Sequence, residues 1–128
     1  MTNVILGSYE AMAQLFRVLS HPARLAILSA LREGEHCVCH LEAHLGLRQA
    51  YISQQLMVLR EAGVVQDRRE GWNIFYRVVR PEVFGLLDRL GGLPPVAAVA
   101  CTCPHCEQQA RENFQNQERV LCNRQPPR

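Results

Sequence analysis

The spacing of apolar residues changes period at Gly63, from about 3.6 to 2, and few small folds accommodate that change. Upstream, Ile52, Leu56 and Leu59 recur at i, i+4 and i+7 in a segment from about Gln49 to Ala62, as one face of a helix requires. Its other face carries Gln49, Tyr51, Ser53, Gln54 and Gln55, uncharged groups that hydrogen-bond. Downstream, Val64 to Arg68 and Trp72 to Val79 favour β-structure, with Ile74, Tyr76 and Val78 alternating with Asn73, Phe75 and Arg77. Arg69-Glu70-Gly71 can turn the chain between these strands. Before them, Val38 to Leu45 reads as a short helix with Leu41 and Leu45 inward, closed by Gly46. Two helices across a tight turn, followed at once by a hairpin, predict a winged helix-turn-helix, mainly α with a β-hairpin.

The flanks fit that frame. Residues 8 to 20 place Met12, Leu15, Phe16 and Leu19 at helical spacing. Ser20-His21-Pro22 stops one helix and starts another: Ser20 or His21 can cap, and Pro22 suits a first turn. That second helix runs to about Arg32, with Leu25, Leu28 and Leu31 facing the core, and Gly34 ends it. Pro81 opens a last helix rich in Val83, Phe84, Leu86, Leu87 and Leu90. This is more apolar surface than one 128-residue chain readily buries, so part of it is expected in a homodimer interface. A break from Gly91 to Pro95 separates a DNA-binding and dimerisation domain, 1–92, from a cysteine-rich tail, 93–128. In that tail Glu107 to Leu121 has the pattern of a polar helix, and the final Gln125-Pro126-Pro127-Arg128 is expected to lack fixed structure.

Composition narrows the setting. No apolar run approaches the ~18 residues that span a bilayer, and Met1 to Glu10 lacks the pattern of a secretory signal. The expectation is a cytoplasmic protein with no membrane partner. A net charge of +2 does not argue for nucleic acid by itself, but all fourteen basic residues are arginine, whose fork fits phosphates and guanine edges. Six cysteines in a reducing compartment point to metal ligation or redox chemistry rather than a disulfide framework. An enzyme, such as a thiol oxidoreductase or arsenate reductase, would need a thioredoxin-like βαβ scaffold or an anion loop, and neither is readable.

From about Leu19 to Val79 the chain resembles the ArsR/SmtB family of metal-responsive bacterial repressors. The matching pieces are Leu19-Ser20-His21-Pro22-Ala23-Arg24-Leu25, Cys37-Val38-Cys39-His40-Leu41 and Ile52-Ser53-Gln54-Gln55-Leu56, followed by Leu59-Arg60-Glu61-Ala62-Gly63-Val64-Val65 and Arg68-Arg69-Glu70-Gly71, in order and at matching spacing. The resemblance implies a homodimer that binds an operator and leaves it when a metal or metalloid binds. The sequence departs from that pattern at Arg48, where serine is usual, at Gln55, where histidine is common, and at His40, where aspartate is frequent. Some relatives also bind zinc on the last helix through Asp and His pairs. Residues 81–92 hold Asp88 but no histidine, so that site is not expected.

Geometry constrains the cysteine pair. Residues i and i+2 of a regular helix point about 200° apart, so Cys37 and Cys39 can clasp one ion only where the start of the helix is unwound. A helix N-terminus also favours the thiolate that binds metal. Two thiolates are not a full set: As(III) and Sb(III) favour three, while Cd(II), Pb(II) and Zn(II) take three or four soft ligands. Some arsenic sensors of the family carry a third cysteine where this chain has Glu42. The expected completion is from Cys101, Cys103 and Cys106, with As(III) the first choice of inducer. A separate zinc knot with Cys122 and a redox disulfide in the tail are the alternatives. His36, His40 and His44 are expected to be solvated helix residues, and His105 has no settled role.

For DNA, Gln49, Ser53, Gln54 and Gln55 lie on the helix expected in the major groove, where glutamine pairs with adenine. Arg48 and Tyr51 are placed to reach phosphate or a base edge, and Arg68 and Arg69 to reach backbone or minor groove from the wing.

Overall fold

The computed structural model describes residues 4–94 together with 111, 112, 114 and 115. Its helices are α1 (Val4–Leu19), α2 (Pro22–Leu31), α3 (Val38–Leu45), α4 (Gln49–Glu61) and α5 (Glu82–Arg89). Its strands are β1 (His36–Cys37), β2 (Val65–Glu70) and β3 (Asn73–Val78), in the order β1-β3-β2, all antiparallel. This is the expected winged helix-turn-helix with one addition, the two-residue strand β1.

Local chemistry sets the boundaries. The Ser20 hydroxyl donates to the Arg17 carbonyl at 2.8 Å as α1 ends, and His21 caps α2, its Nδ1 accepting from the Ala23 N–H at 3.2 Å. Gly46, at φ 63, supplies the left-handed turn that ends α3, and only Leu47 and Arg48 separate it from α4. Glu70 pairs with Asn73, so the wing turns through Gly71 and Trp72 rather than through Arg69-Glu70-Gly71 as expected. Gly71 at φ 59 takes the first position of a two-residue loop, where glycine is favoured.

Val18, Leu19, Ile27, Leu28, Leu31, Leu41, Ile52, Leu56, Leu59, Val64, Val65 and Val83 form the core. The β-face bearing Tyr76 and Val78 packs against it. Phe75 points to the opposite face and is still only 1% exposed, flanked there by Cys37 of β1 and Arg68 of β2. Arg68, Phe75 and Cys37 stand in one row across the three strands, and the Arg68 guanidinium lies 5.0 Å from the centre of the Phe75 ring.

The packing shows which apolar surface is left uncovered. The last helix covers much of its own surface: Val83 is buried, and Phe84, Leu86 and Leu87 pack against the core. Arg32 grips Asp88 with two bonds, at 2.7 and 2.5 Å, joining α2 to α5. The surplus of apolar surface lies on α1 instead, where Leu6, Tyr9, Met12 and Phe16 are about half exposed or more, with Leu90 beyond α5. Met12 and Phe16 therefore line an outer stripe of α1.

Candidate functional site

Helix α4 presents a polar outer face. Gln49, Tyr51 and Gln54 are exposed, Ser53 is half-buried, and Arg48 stands exposed at the N-cap. Gln55 is a correction. Ile52, Gln55, Leu56 and Leu59 make up the inner stripe at i, i+3, i+4 and i+7, and Gln55 is 8% exposed. Its Oε1 accepts from Arg24 Nε at 2.9 Å, while Arg24 Nη1 donates to the Val18 carbonyl at 3.1 Å. Gln55 therefore fastens α4 to α1 and α2 through Arg24. Its side chain lies on the inner stripe, not on the polar outer face.

On the wing, Arg69 is exposed. Arg68 is held by carboxylates: its Nε donates to Glu35 at 3.1 Å and its Nη1 to Glu70 at 2.8 Å. Glu35, then Glu70, raise the guanidinium pKa above its ordinary value. Trp72, at the tip, is fully exposed at 102%. The sequence pattern reads Trp72 as the first residue of a strand; instead it stands in the turn before β3, and a bulky indole beside a turn glycine is the signal for that place.

Cys37 and Cys39 meet at the junction of β1 and α3. Cys37 is the N-cap of α3 in extended conformation, φ −81 and ψ 164, and Cys39 lies in the first turn. The extended residue cancels the 200° divergence of a regular helix, and the two sulfurs lie 3.2 Å apart. That is well beyond the ~2.05 Å of a disulfide bond. Cys37 is 2% exposed, whereas Cys39 is half-buried. Cys101, Cys103, Cys106, Cys122 and His105 lie outside the described residues, and Glu42 is exposed on α3.

His36, His40 and His44 differ from expectation: they are half-buried and their rings stack in a column. Burial, then the neighbouring His36 and His44, push His40 down to about 4, and burial pushes His36 below its ordinary value. A histidine with a lowered folded-state pKa binds fewer protons than the unfolded chain, so its contribution is complete above pH ~6.5. That contribution is expected to be lost as pH falls from ~6.5 to about 4. Discounted for the solvent these rings retain, the loss is about 1–2 kcal/mol. Urea denaturation at pH 7 and pH 5 measures it, and His40→Asn should flatten the dependence.

A helix-turn-helix with a wing and a polar recognition face defines a DNA-binding regulator. Residues 21–67 match the model of the bacterial regulatory proteins of the arsR family. A biofilm growth-associated repressor of Agrobacterium fabrum is 49% identical over 78 residues, 61% of this chain and 67% of the relative. An arsenic resistance transcriptional regulator of Pseudomonas putida is 52% identical over 68 residues, 53% of this chain and 52% of the relative. Among solved structures, the transcriptional repressor BigR of Xylella fastidiosa superposes with TM-score 0.61 at 41% identity, covering 70% of this chain and 93% of that one. A homodimeric winged helix-turn-helix domain from Mycobacterium bovis gives TM-score 0.65 at 26% identity, covering 71% and 87%. The chain belongs to the arsR family and is a transcriptional repressor of the winged-helix type. Members of that family are DNA-binding regulators, not enzymes. No helix among the described residues is long and apolar enough to cross a membrane.

Proposed function

We propose that this repressor holds its operator as a homodimer and releases it when As(III) is captured by Cys37 and Cys39 together with Cys101, Cys103 or Cys106 of the tail. The sulfur separation of 3.2 Å carries the choice of ion. A tetrahedral ion with sulfur ligands at ~2.3 Å spreads two of them to about 3.8 Å. At the same bond length, S–X–S angles near a right angle bring them to about 3.3 Å, which is the geometry of trigonal-pyramidal As(III) or Sb(III). The arsenic resistance regulator of Pseudomonas putida supports the same choice. Cd(II), Pb(II) and Zn(II) are the alternatives, and they would have to open the pair.

The route from thiols to DNA runs two ways. Cys37 and Cys39 begin α3, which packs against the recognition helix α4. Cys37 also ends the row through Phe75 to Arg68, and Glu35, two residues earlier, grips Arg68. A third thiolate drawn to the pair shifts β1, and with it both the reading helix and the wing. The apolar stripe on α1, with Leu90, supplies the dimer surface; the homodimeric state of the Mycobacterium bovis domain supports a dimer. Gln49, Ser53 and Gln54 read the major groove, Arg48 and Tyr51 contact its edges, and Arg69 reaches the backbone. Arg68 has a secondary part, since carboxylates hold it. A repressor that works on bacterial operator DNA is expected in the cytoplasm.

As(III), Sb(III), Cd(II) and Zn(II) added to the protein–operator complex provide the test, in the parent and in Cys101→Ser, Cys103→Ser and Cys106→Ser. Release by As(III) at the lowest concentration, weakened by tail substitutions, is expected. Equal release from all three tail variants removes the tail from the site. A thiol redox switch is the second reading, favoured by the same short separation. An oxidant that takes two electrons and two protons from the pair would close a Cys37–Cys39 disulfide, and release by oxidant without metalloid identifies it.

Trp72 is the chain's sole tryptophan, so its fluorescence reports the wing alone. Its emission is expected to change when operator is added, as the indole packs on the minor groove or sugar edge. Trp72→Ala should weaken binding by about 1 kcal/mol, roughly fivefold.

A further inference from the structure

Both edges of the Arg68 guanidinium that could fork onto an oxyanion are occupied. Its Nε donates to the two carboxylate oxygens of Glu35, at 3.1 and 3.3 Å, and its Nη2 donates to the same residue. Its Nη1 donates to Glu70 at 2.8 Å, and one face of the group lies 5.0 Å from the centre of the Phe75 ring. A phosphate would use the same N–H groups, because phosphate and carboxylate present the same pair of oxygens to the fork. Two carboxylates against one guanidinium also leave the cluster with a net negative charge, which a DNA backbone repels. Glu35 is the anchored partner. Its side chain is 20% exposed, against 54% for Glu70, and it lies outside the hairpin, immediately before β1. An exposed pair along one strand holds weakly, whereas a forked pair to a half-buried carboxylate holds more firmly.

We propose that Glu35 competes with the DNA backbone for Arg68, so that this carboxylate sets how much the wing contributes to DNA affinity. In the free protein the fork of Arg68 is closed on Glu35, and a phosphate gains it only by displacing that carboxylate. Glu35 is thus a positioning residue that acts through Arg68 and touches no DNA itself. Arg69, the next residue on the strand, is exposed and engages the backbone without such a contest. Glu35 stands two residues before Cys37, so the competitor for the backbone sits beside the thiol pair in the chain. The inference rests on the reading of the wing as a DNA contact and is independent of which ion is sensed.

Glu35→Gln tests it in the reduced, metal-free full-length chain, titrated with a fluorescein-labelled random-sequence duplex, since backbone contacts do not depend on sequence. Glutamine keeps the shape of the side chain and loosens its hold on the guanidinium. Binding should tighten about two- to fivefold near ~0.1 M salt. The slope of log K against log salt should steepen by about 0.9 for each wing that gains a phosphate. Arg68→Ala should change the parent little and remove the whole gain in the Glu35→Gln background, a coupling that the double-mutant cycle reads. A purely structural Glu35 gives the opposite sign, weaker binding with a lower urea midpoint. Glu70→Gln, which leaves β1 untouched, should give a smaller gain and serves where Glu35→Gln unsettles the wing. Glu33→Gln removes an exposed charge nearby and should keep the parent slope. Unchanged or weaker binding in both Glu35→Gln and Glu70→Gln overturns the proposal. So does an equal gain in Glu33→Gln, or a gain that survives Arg68→Ala, since either makes the effect one of net charge. Failure of the wing reading is distinct: Arg69→Ala and Trp72→Ala would then bind the duplex as the parent does.

Discussion

Cys39→Ser protein is expected to bind operator DNA as tightly as the parent and to remain bound when As(III) is added. Cys39 is half-buried in the first turn of α3 and serine is nearly isosteric, so the metal-free fold tolerates the change. What disappears is one of two sulfurs placed 3.2 Å apart, and with it the bidentate grip that makes capture of the ion favourable. Coupling between effector and DNA is typically ~1–3 kcal/mol, so the roughly 5–150-fold drop in operator affinity caused by As(III) should vanish. Cys37→Ser should do the same with some loss of stability, because its hydroxyl enters a site only 2% exposed. Operator titrations followed by fluorescence anisotropy, with and without As(III), measure both. Release that survives in both variants would move the sensor elsewhere in the chain.

Phe75→Ala is expected to carry the largest stability cost, about 3–5 kcal/mol, read from the urea midpoint. Phe75 is 1% exposed, on the sheet face opposite Tyr76 and Val78, with the Arg68 guanidinium over its ring. A domain of this kind has about 5–15 kcal/mol in total, so the alanine variant approaches the limit of folding. Phe75→Leu retains most of the volume and separates the two roles of the residue. It should keep the fold and operator affinity but narrow the As(III)-induced change, because Phe75 stands between Cys37 and Arg68 in the row joining thiol site to wing. A parent-like As(III) response in Phe75→Leu would assign the coupling to α3 and α4 alone.

Much of this architecture is legible in the chain. Helix α3 begins at Val38 and ends at Leu45 as the pattern requires, because Gly46 is the residue that tolerates the left-handed turn closing it. The start of α4 at Gln49 and the hairpin after Gly63 follow equally from period and glycine placement. Strand β1 is not legible, since two residues have no measurable period and its existence depends on β3 being there to pair with. Gln55 misleads for a related reason. It occupies a stripe position on α4, but a glutamine reads as outward until Arg24, 31 residues away in sequence, is found to satisfy its amide oxygen. The histidines read singly as solvated, and their stacking needs β1 to end where α3 begins.

The sequence by itself determined the winged helix-turn-helix, the polar reading face and the presence of an incomplete pair of thiols. These rest on periodicity, turn residues and ligand chemistry, which are local. Only the tertiary structure decided that the pair converges, that Gln55 turns inward, and that Cys37, Phe75 and Arg68 form one row. Each of these depends on segments far apart in the chain. An extended Cys37 pairs with β3, and that one contact both cancels the helical divergence of the sulfurs and ties them to the wing.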